Sequence, residues 1–240
     1  MKFLYIQDID IAFSRKWAES LTASLGKEFA FADADSLQEL RDPDLLSKSL
    51  QEQDVDLIFI ACKNDRRIIQ RFLNSCRSLR IPYIFLTDTM SKLSVLAHSE
   101  SPINRISAPV SRLEEEVHKA EIISSLMRYT SCKTILLIAS DYGSKAQQNT
   151  NRIISFLNKN IPDRIEDIIR VSAIKNSDNL YKEVSARQRE LTPDIVVWTA
   201  SREYGLDDLI FGPSERYVIS HSLIPVLLLN PRDDLFSLCD

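Results

Sequence analysis

Asp194-Ile195-Val196-Val197-Trp198 and, further on, Ile224-Pro225-Val226-Leu227-Leu228-Leu229 are the stretches that decide the fold. Each is a short apolar run of strand length, the signature of a strand buried on both faces. The same pair of runs occurs earlier. Asp56-Leu57-Ile58-Phe59-Ile60 matches the first, and Ile81-Pro82-Tyr83-Ile84-Phe85-Leu86 matches the second. The spacing between the two runs is longer in the later pair. One plan is therefore written twice, as a diverged tandem duplication and not a solenoid period.

Working outward, helical patterns separate the strands. Phe13, Trp17, Leu21 and Leu25 recur every four residues, and Gly26 stops that helix. Asp42-Pro43-Asp44 opens a second helix with proline in its first turn. Residues 65 to 79 form a basic amphipathic helix with Ile68, Ile69, Phe72, Leu73 and Cys76 on its apolar face. With Leu4-Tyr5-Ile6 and Phe29-Ala30-Phe31 as strands, the first half reads βαβαβαβ. That order implies a parallel sheet with right-handed crossovers. Residues 88 to 103 break the rhythm and suit a linker or a poorly packed helix. The pattern then restarts, with strands at 106–110, 134–139, 165–171, 194–198 and 225–229 and helices between them.

Composition removes whole classes of function. The chain has 240 residues, 44% apolar and 27% charged, with a net charge of −4. That is material for one large domain or two small ones. No apolar run approaches the ~20 residues needed to span a bilayer, and Asp8 and Asp10 follow the first strand at once, so a cytoplasmic protein is expected. There are only four glycines, Gly26, Gly143, Gly205 and Gly212. No arrangement of them makes a Rossmann or Walker loop. Cys62, Cys76, Cys132 and Cys239 are scattered, so neither a zinc ribbon nor a C-x-x-C motif exists. His98, His118 and His221 lack metal-ligand spacing, and no G-x-S-x-G is present. The sequence pI of about 5.5 argues against a nucleic-acid footprint. Arg66, Arg67, Arg71, Arg77 and Arg80 make one helix basic, but no aromatic residues interleave with them. A solvated face is expected there.

The second half resembles a universal stress protein domain. That family's last third runs from a D-L-I-V-M-like strand through G-x2-G-x9-G-[ST] to a helix and then P-V-L-V-V. Here Asp194 to Trp198 is followed by Thr199 at the first glycine position, Arg202 at the second and Gly212 at the third. Gly205-Leu206 and Leu209-Ile210-Phe211 resemble its G-L-x-x-L-L-L segment, Tyr217-Val218 and His221 its Y-V-x-x-H, and Pro225 falls at the matching distance. Ala108-Pro109-Val110-Ser111 is similar to its opening V-P-V-D strand. In the first half, Lys2-Phe3-Leu4-Tyr5-Ile6-Gln7-Asp8 is similar to the same strand with its terminal acid.

The resemblance implies an α/β fold of two tandem doubly wound parallel-sheet domains of the adenine nucleotide alpha hydrolase-like kind. A degenerate domain is expected over 1–97 and a fuller one over 103–240, each with a five-stranded type of sheet. It also implies pairing through the last strands, which a tandem chain satisfies within itself as an internal pseudo-dimer. Homodimerisation of whole chains stays open, as does an unidentified protein partner; neither nucleic acid nor membrane is expected.

Many family members bind ATP at the carboxyl ends of the strands. The positions that carry this over are Asp8, Ser111, Thr199, Arg202, Gly212, Pro213, Ser214 and Glu215, and they depart from the pattern. Thr199 and Arg202 put side chains where the loop needs none. Pro213 removes a hydroxyl and an N–H. Glu215 turns a carboxylate toward the phosphates, and Ser111 replaces the opening-strand acid. In the first half Asp8 keeps the acid, but Ala61-Cys62-Lys63-Asn64 replaces the glycine loop. ATP is therefore disfavoured and no cofactor is expected. The reading is a non-enzymatic stress-response protein that binds a partner or small ligand. The alternative is an ATP-binding regulator or slow ATPase with a rebuilt site, in which Arg202 and Ser214 contact phosphates and Ser111 or Asp8 holds the nucleotide. A third class, an enzyme of the wider hydrolase-like superfamily, has no catalytic set to support it.

Overall fold

The structure, a computed structural model, describes residues 2–34, 42–92, 95, 101–110, 116–139, 144–160, 163–171, 180–201 and 212–231. The first half contains β1 (Lys2–Gln7), α1 (Ser14–Ser24), β2 (Glu28–Asp33), α2 (Pro43–Glu52), β3 (Val55–Cys62), α3 (Arg66–Cys76) and β4 (Tyr83–Thr87). The second contains β5 (Arg105–Val110), α4 (Glu116–Tyr129), β6 (Lys133–Ala139), α5 (Ser144–Asn160), β7 (Ile165–Val171), α6 (Leu180–Leu191), β8 (Ile195–Thr199), α7 (Ser214–His221) and β9 (Val226–Leu229). Helix starts follow the sequence. The Asp42 carboxylate accepts from the Asp44 and Leu45 N–H groups with Pro43 next in the chain, and Asp65 does the same for Arg67 and Ile68.

All nine strands form one sheet in the order β2-β1-β3-β4-β9-β8-β5-β6-β7. Every neighbouring pair is parallel except β4·β9, which is antiparallel with Ile84 opposite Leu227. The two repeated strand pairs read from the sequence thus flank one seam: β3·β4 on one side, β8·β9 on the other. At the seam Tyr83, Ile84, Phe85, Val226, Leu227 and Leu228 are at most 1% exposed. Burying each such side chain stabilises by about 1.5–3 kcal/mol relative to leaving it exposed. The apolar last strands therefore demand this pairing or an equivalent one.

Among the described residues the second half has the five strands that the resemblance implies, and the first half has the four that its own βαβαβαβ pattern reads. The reason lies in the crossovers. After β6 the second half adds β7 on the same outer side before α6 returns to β8 next to β5. The first half adds only β2 before α2 returns to β3 next to β1. Among the described residues the first half has one strand–helix unit fewer, and β2 is the edge of the sheet.

The connection between halves is packed where the structure describes it. Pro102 and Ile103 are buried, and the Trp17 indole N–H donates to the Pro102 carbonyl at 3.1 Å. Trp17 is fully buried and meets Phe59 edge-on with centroids 6.2 Å apart, which ties α1, β3 and the connection into one core. Of the linker or helix expected over 88–103, residues 93, 94 and 96–100 lie outside the described residues.

Candidate functional site

A doubly wound sheet opens a crevice at the carboxyl ends of its strands where the strand order reverses. This sheet has two such points, β1/β3 and β5/β8. Because β4 and β9 run antiparallel, the carboxyl ends of the two sets of strands lie on opposite edges of the sheet. Asp8 and the Ser214–Glu215 segment therefore belong to separate crevices. An arrangement in which Asp8 and Ser214 hold one nucleotide does not fit this geometry.

In the first crevice Asp8 ends β1. Its Oδ1 accepts from Nη2 of Arg71 at 2.5 Å, and its N–H donates to the Ala61 carbonyl at 2.8 Å. Arg71 comes from α3, so this ion pair spans the switch point between β1 and β3. The Asp65 carboxylate takes the Arg67 and Ile68 N–H groups at 2.8 and 3.2 Å. Those are the donors that a helix N-terminus would otherwise offer to an anion. Asn64 closes the loop: its N–H donates to Asp88 Oδ1 at 2.7 Å and its Nδ2 to the Ser220 carbonyl at 2.8 Å. Cys62 beneath this cluster is fully buried. Burial pushes its thiol well above the ordinary range, and the negative charge of Asp8 adds to the shift.

The second crevice holds charges that are completely buried. Glu116 and Lys119, one turn apart on α4, are 3% and 1% exposed and form an ion pair at 2.5 Å. Lys119 Nζ also donates to the Pro109 carbonyl at the end of β5, and it lies 6.0 Å from the centre of the Trp198 ring. The Thr199 hydroxyl donates to Glu116 Oε2 at 3.2 Å. Burial lowers the Lys119 pKa, with Glu116 opposing the shift. Thr199, placed by sequence at a phosphate-facing position, is instead bonded to this pair.

Beside it, Glu215 lies in the first turn of α7 and is 1% exposed. Its Oε2 accepts from the hydroxyls of Ser201 at 3.2 Å and Ser214 at 3.3 Å. The backbone N–H groups of Ser201 and of Glu215 itself also point to the carboxylate. Four donors, two from Ser201 after β8 and two from the start of α7, thus converge on a carboxylate that the chain supplies. Pro213 precedes the helix and offers neither an N–H nor a capping side chain. Gly212 has φ +83°, and a Cβ there would lie 1.4 Å from Nη2 of Arg216, whose guanidinium folds over the turn. The left-handed backbone conformation is what favours glycine here, since the arginine end can swing aside.

Burial raises the Glu215 pKa against those hydrogen bonds. The sign follows from linkage. Folding makes this proton harder to release than in the unfolded chain, where the carboxyl titrates near 4.5. Stability from this group is therefore present below the unfolded value and is lost as pH rises through the folded one. Glu215→Gln is expected to unfold at higher denaturant concentration than the parent at pH 7, with the gap shrinking toward pH 4. Chemical denaturation at the two pH values reads it.

Of the eight positions carried over from the sequence, the structure brings Ser214 and Glu215 together behind Gly212 and Pro213. It sets Thr199 against Glu116, and it leaves Asp8 in the other crevice. Ser111 and Arg202 lie outside the described residues. Sequence reading missed Glu116, Lys119, Ser201 and the Asp8–Arg71 bridge. His221 stacks on Tyr217 with ring centres 3.8 Å apart. His118 is half-buried on α4. Among the described residues, no three His, Cys, Asp or Glu side chains are grouped to hold a metal ion. No helix among them is long and apolar enough to cross a membrane.

No family model matches the chain, and no curated protein matches its sequence. Solved structures do. A universal stress protein from Archaeoglobus fulgidus DSM 4304 aligns with a TM-score of 0.59 at 13% identity, over 98% of this chain and 88% of that one. A putative universal stress protein from Pseudomonas aeruginosa UCBPP-PA14 gives 0.52 at 14% identity, over 98% and 83%. A functionally unknown protein from Pseudomonas aeruginosa PAO1 gives 0.50 at 14%, over the same shares of 98% and 83%. At such identities the likeness is one of architecture. The chain has the α/β fold found in universal stress proteins.

Proposed function

We propose that this chain is a tandem universal-stress-protein scaffold, with domains over 1–97 and 103–240 paired internally through β4 and β9. It acts in the cytoplasm without catalysis, by binding a protein partner or small ligand, and ATP is not its cofactor. The observation that carries this reading is the Glu215 carboxylate, buried at the N-terminus of α7 and bonded by Ser201 and Ser214. A phosphate entering there meets an anion already holding its donors, and like charges in a partly dry site repel by several kcal/mol. The first crevice supports the same reading, since Asp65 holds the α3 N–H groups and Arg71 is engaged by Asp8.

Native mass spectrometry of the freshly purified protein tests the proposal. The expected result is polypeptide mass with no adenine-nucleotide adduct. A stoichiometric adduct overturns it in favour of a nucleotide-binding regulator whose phosphate site is built on other donors.

A further inference from the structure

We propose that β2 is a docking edge for a second copy of this chain, joined antiparallel to its own β2 about a two-fold axis. Among the described residues β2 is outermost in the nine-stranded sheet. Its register with β1 runs from Lys2 opposite Glu28 to Gln7 opposite Asp33. No other backbone hydrogen bond is made by Phe29 to Ala32 among the described residues. The middle of the strand, Phe29-Ala30-Phe31-Ala32, carries no charge, and Phe31 is 45% exposed. A bare apolar edge of this kind is a template for another strand.

The opposite edge of the same sheet is built differently. β7 carries Glu166, Asp167 and Arg170, and the Asp167 carboxylate takes the N–H of Ile168 at 2.7 Å. Charge and a self-satisfied N–H are ways of blunting an edge. β2 has neither within its central four residues. A β2–β7 joint would also be head-to-tail, leaving a fresh edge at each end, whereas β2–β2 closes.

The ends of β2 select an antiparallel self-pairing. Lys27 stands just before the strand, where it also bridges Asp56 at 3.8 Å within the chain, and Asp33 ends the strand. With Ala30 opposite its own copy, Lys27 of each chain faces Asp33 of the other and Phe29 faces Phe31. Shifting by one residue sets Glu28 opposite Asp33, which like charges oppose. Phe29 and Phe31 both lie against Tyr5, with centroids 5.9 and 6.0 Å away. The self-pairing therefore joins two aromatic clusters on the same face as α1, whose Arg15 covers Phe31 at 4.9 Å.

Sedimentation equilibrium of the full chain across the micromolar range is the test, with hydrogen exchange followed at residues 28–33. The expected result is a monomer–dimer equilibrium in which those amides gain protection as concentration rises. Phe31→Lys should weaken association at least tenfold. Lys27→Asp should weaken it as well, and adding Asp33→Lys should restore it, a rescue that a loss of fold does not give. A chain that stays monomeric at all concentrations overturns the proposal. So does a dimer indifferent to these substitutions, and so does failure of the charge swap to rescue.

Discussion

Replacing Lys119 by methionine is expected to lower the stability of the fold by about 3–5 kcal/mol, the cost of removing one member of a buried ion pair. The side chains of Lys119 and Glu116 are 2% and 4% exposed. Methionine fills much of the lysine's volume, so the loss is electrostatic more than steric. It removes the ammonium that pairs with the Glu116 carboxylate, to which the Thr199 hydroxyl also donates. Adding Glu116→Gln removes that charge, and the double variant should recover most of the loss. Urea unfolding of the parent, both single variants and the double variant closes the cycle. If Lys119→Met alone costs less than a surface substitution, the pair is not buried as described.

The second large effect is expected at the seam. Asn230 follows β9, and its Nδ2 donates to the carbonyls of Cys76 and Leu79 at 2.7 and 2.9 Å. Its Oδ1 accepts from the Tyr83 hydroxyl at 2.8 Å. One amide from the second half therefore satisfies the carboxyl end of α3 and a β4 tyrosine, both in the first half. Asn64 makes the reciprocal contact to the Ser220 carbonyl near the end of α7. Asn230→Ala should cost about 2–3 kcal/mol, since three polar groups lose a partner and each net bond is worth roughly 1 kcal/mol. Asn230→Asp should cost more. It turns a donor into an anion facing two carbonyl oxygens at a helix carboxyl end. Thermal unfolding monitored by circular dichroism measures both, and an unchanged midpoint for Asn230→Asp would contradict the clamp.

Much of the architecture was legible because parallel strands are buried on both faces. Leu57 to Cys62 and Ile195 to Trp198 read as unbroken apolar runs and became central strands. Helix starts were legible wherever an aspartate sits at the cap, as at Asp42 and Asp65. The four strands of the first half were legible in its βαβαβαβ pattern; only the family resemblance implied a fifth. The crevices were legible only in part. Glu215 could be placed by its position after Gly212, but the Ser201 donors that turn its carboxylate inward depend on where β8 ends. Glu116 and Lys119 were passed over because charged residues on an amphipathic helix default to solvent. The signal was phase: positions 116 and 119 fall in register with buried Ala120, Ile123 and Met127. Arg71 was read on a solvent face, and its side chain is indeed 53% exposed. That it reaches Asp8 depends on α3 lying beside β1, which no local pattern encodes.

The account rests on one claim, that the anion position at the N-terminus of α7 is filled by the chain's own Glu215 carboxylate. A calorimetric titration of ATP·Mg into the purified protein tests it most directly. The account predicts no binding heat up to millimolar nucleotide. A micromolar dissociation constant would contradict it, since phosphate would then be held at the edge of a sheet where the chain has already placed its own anion.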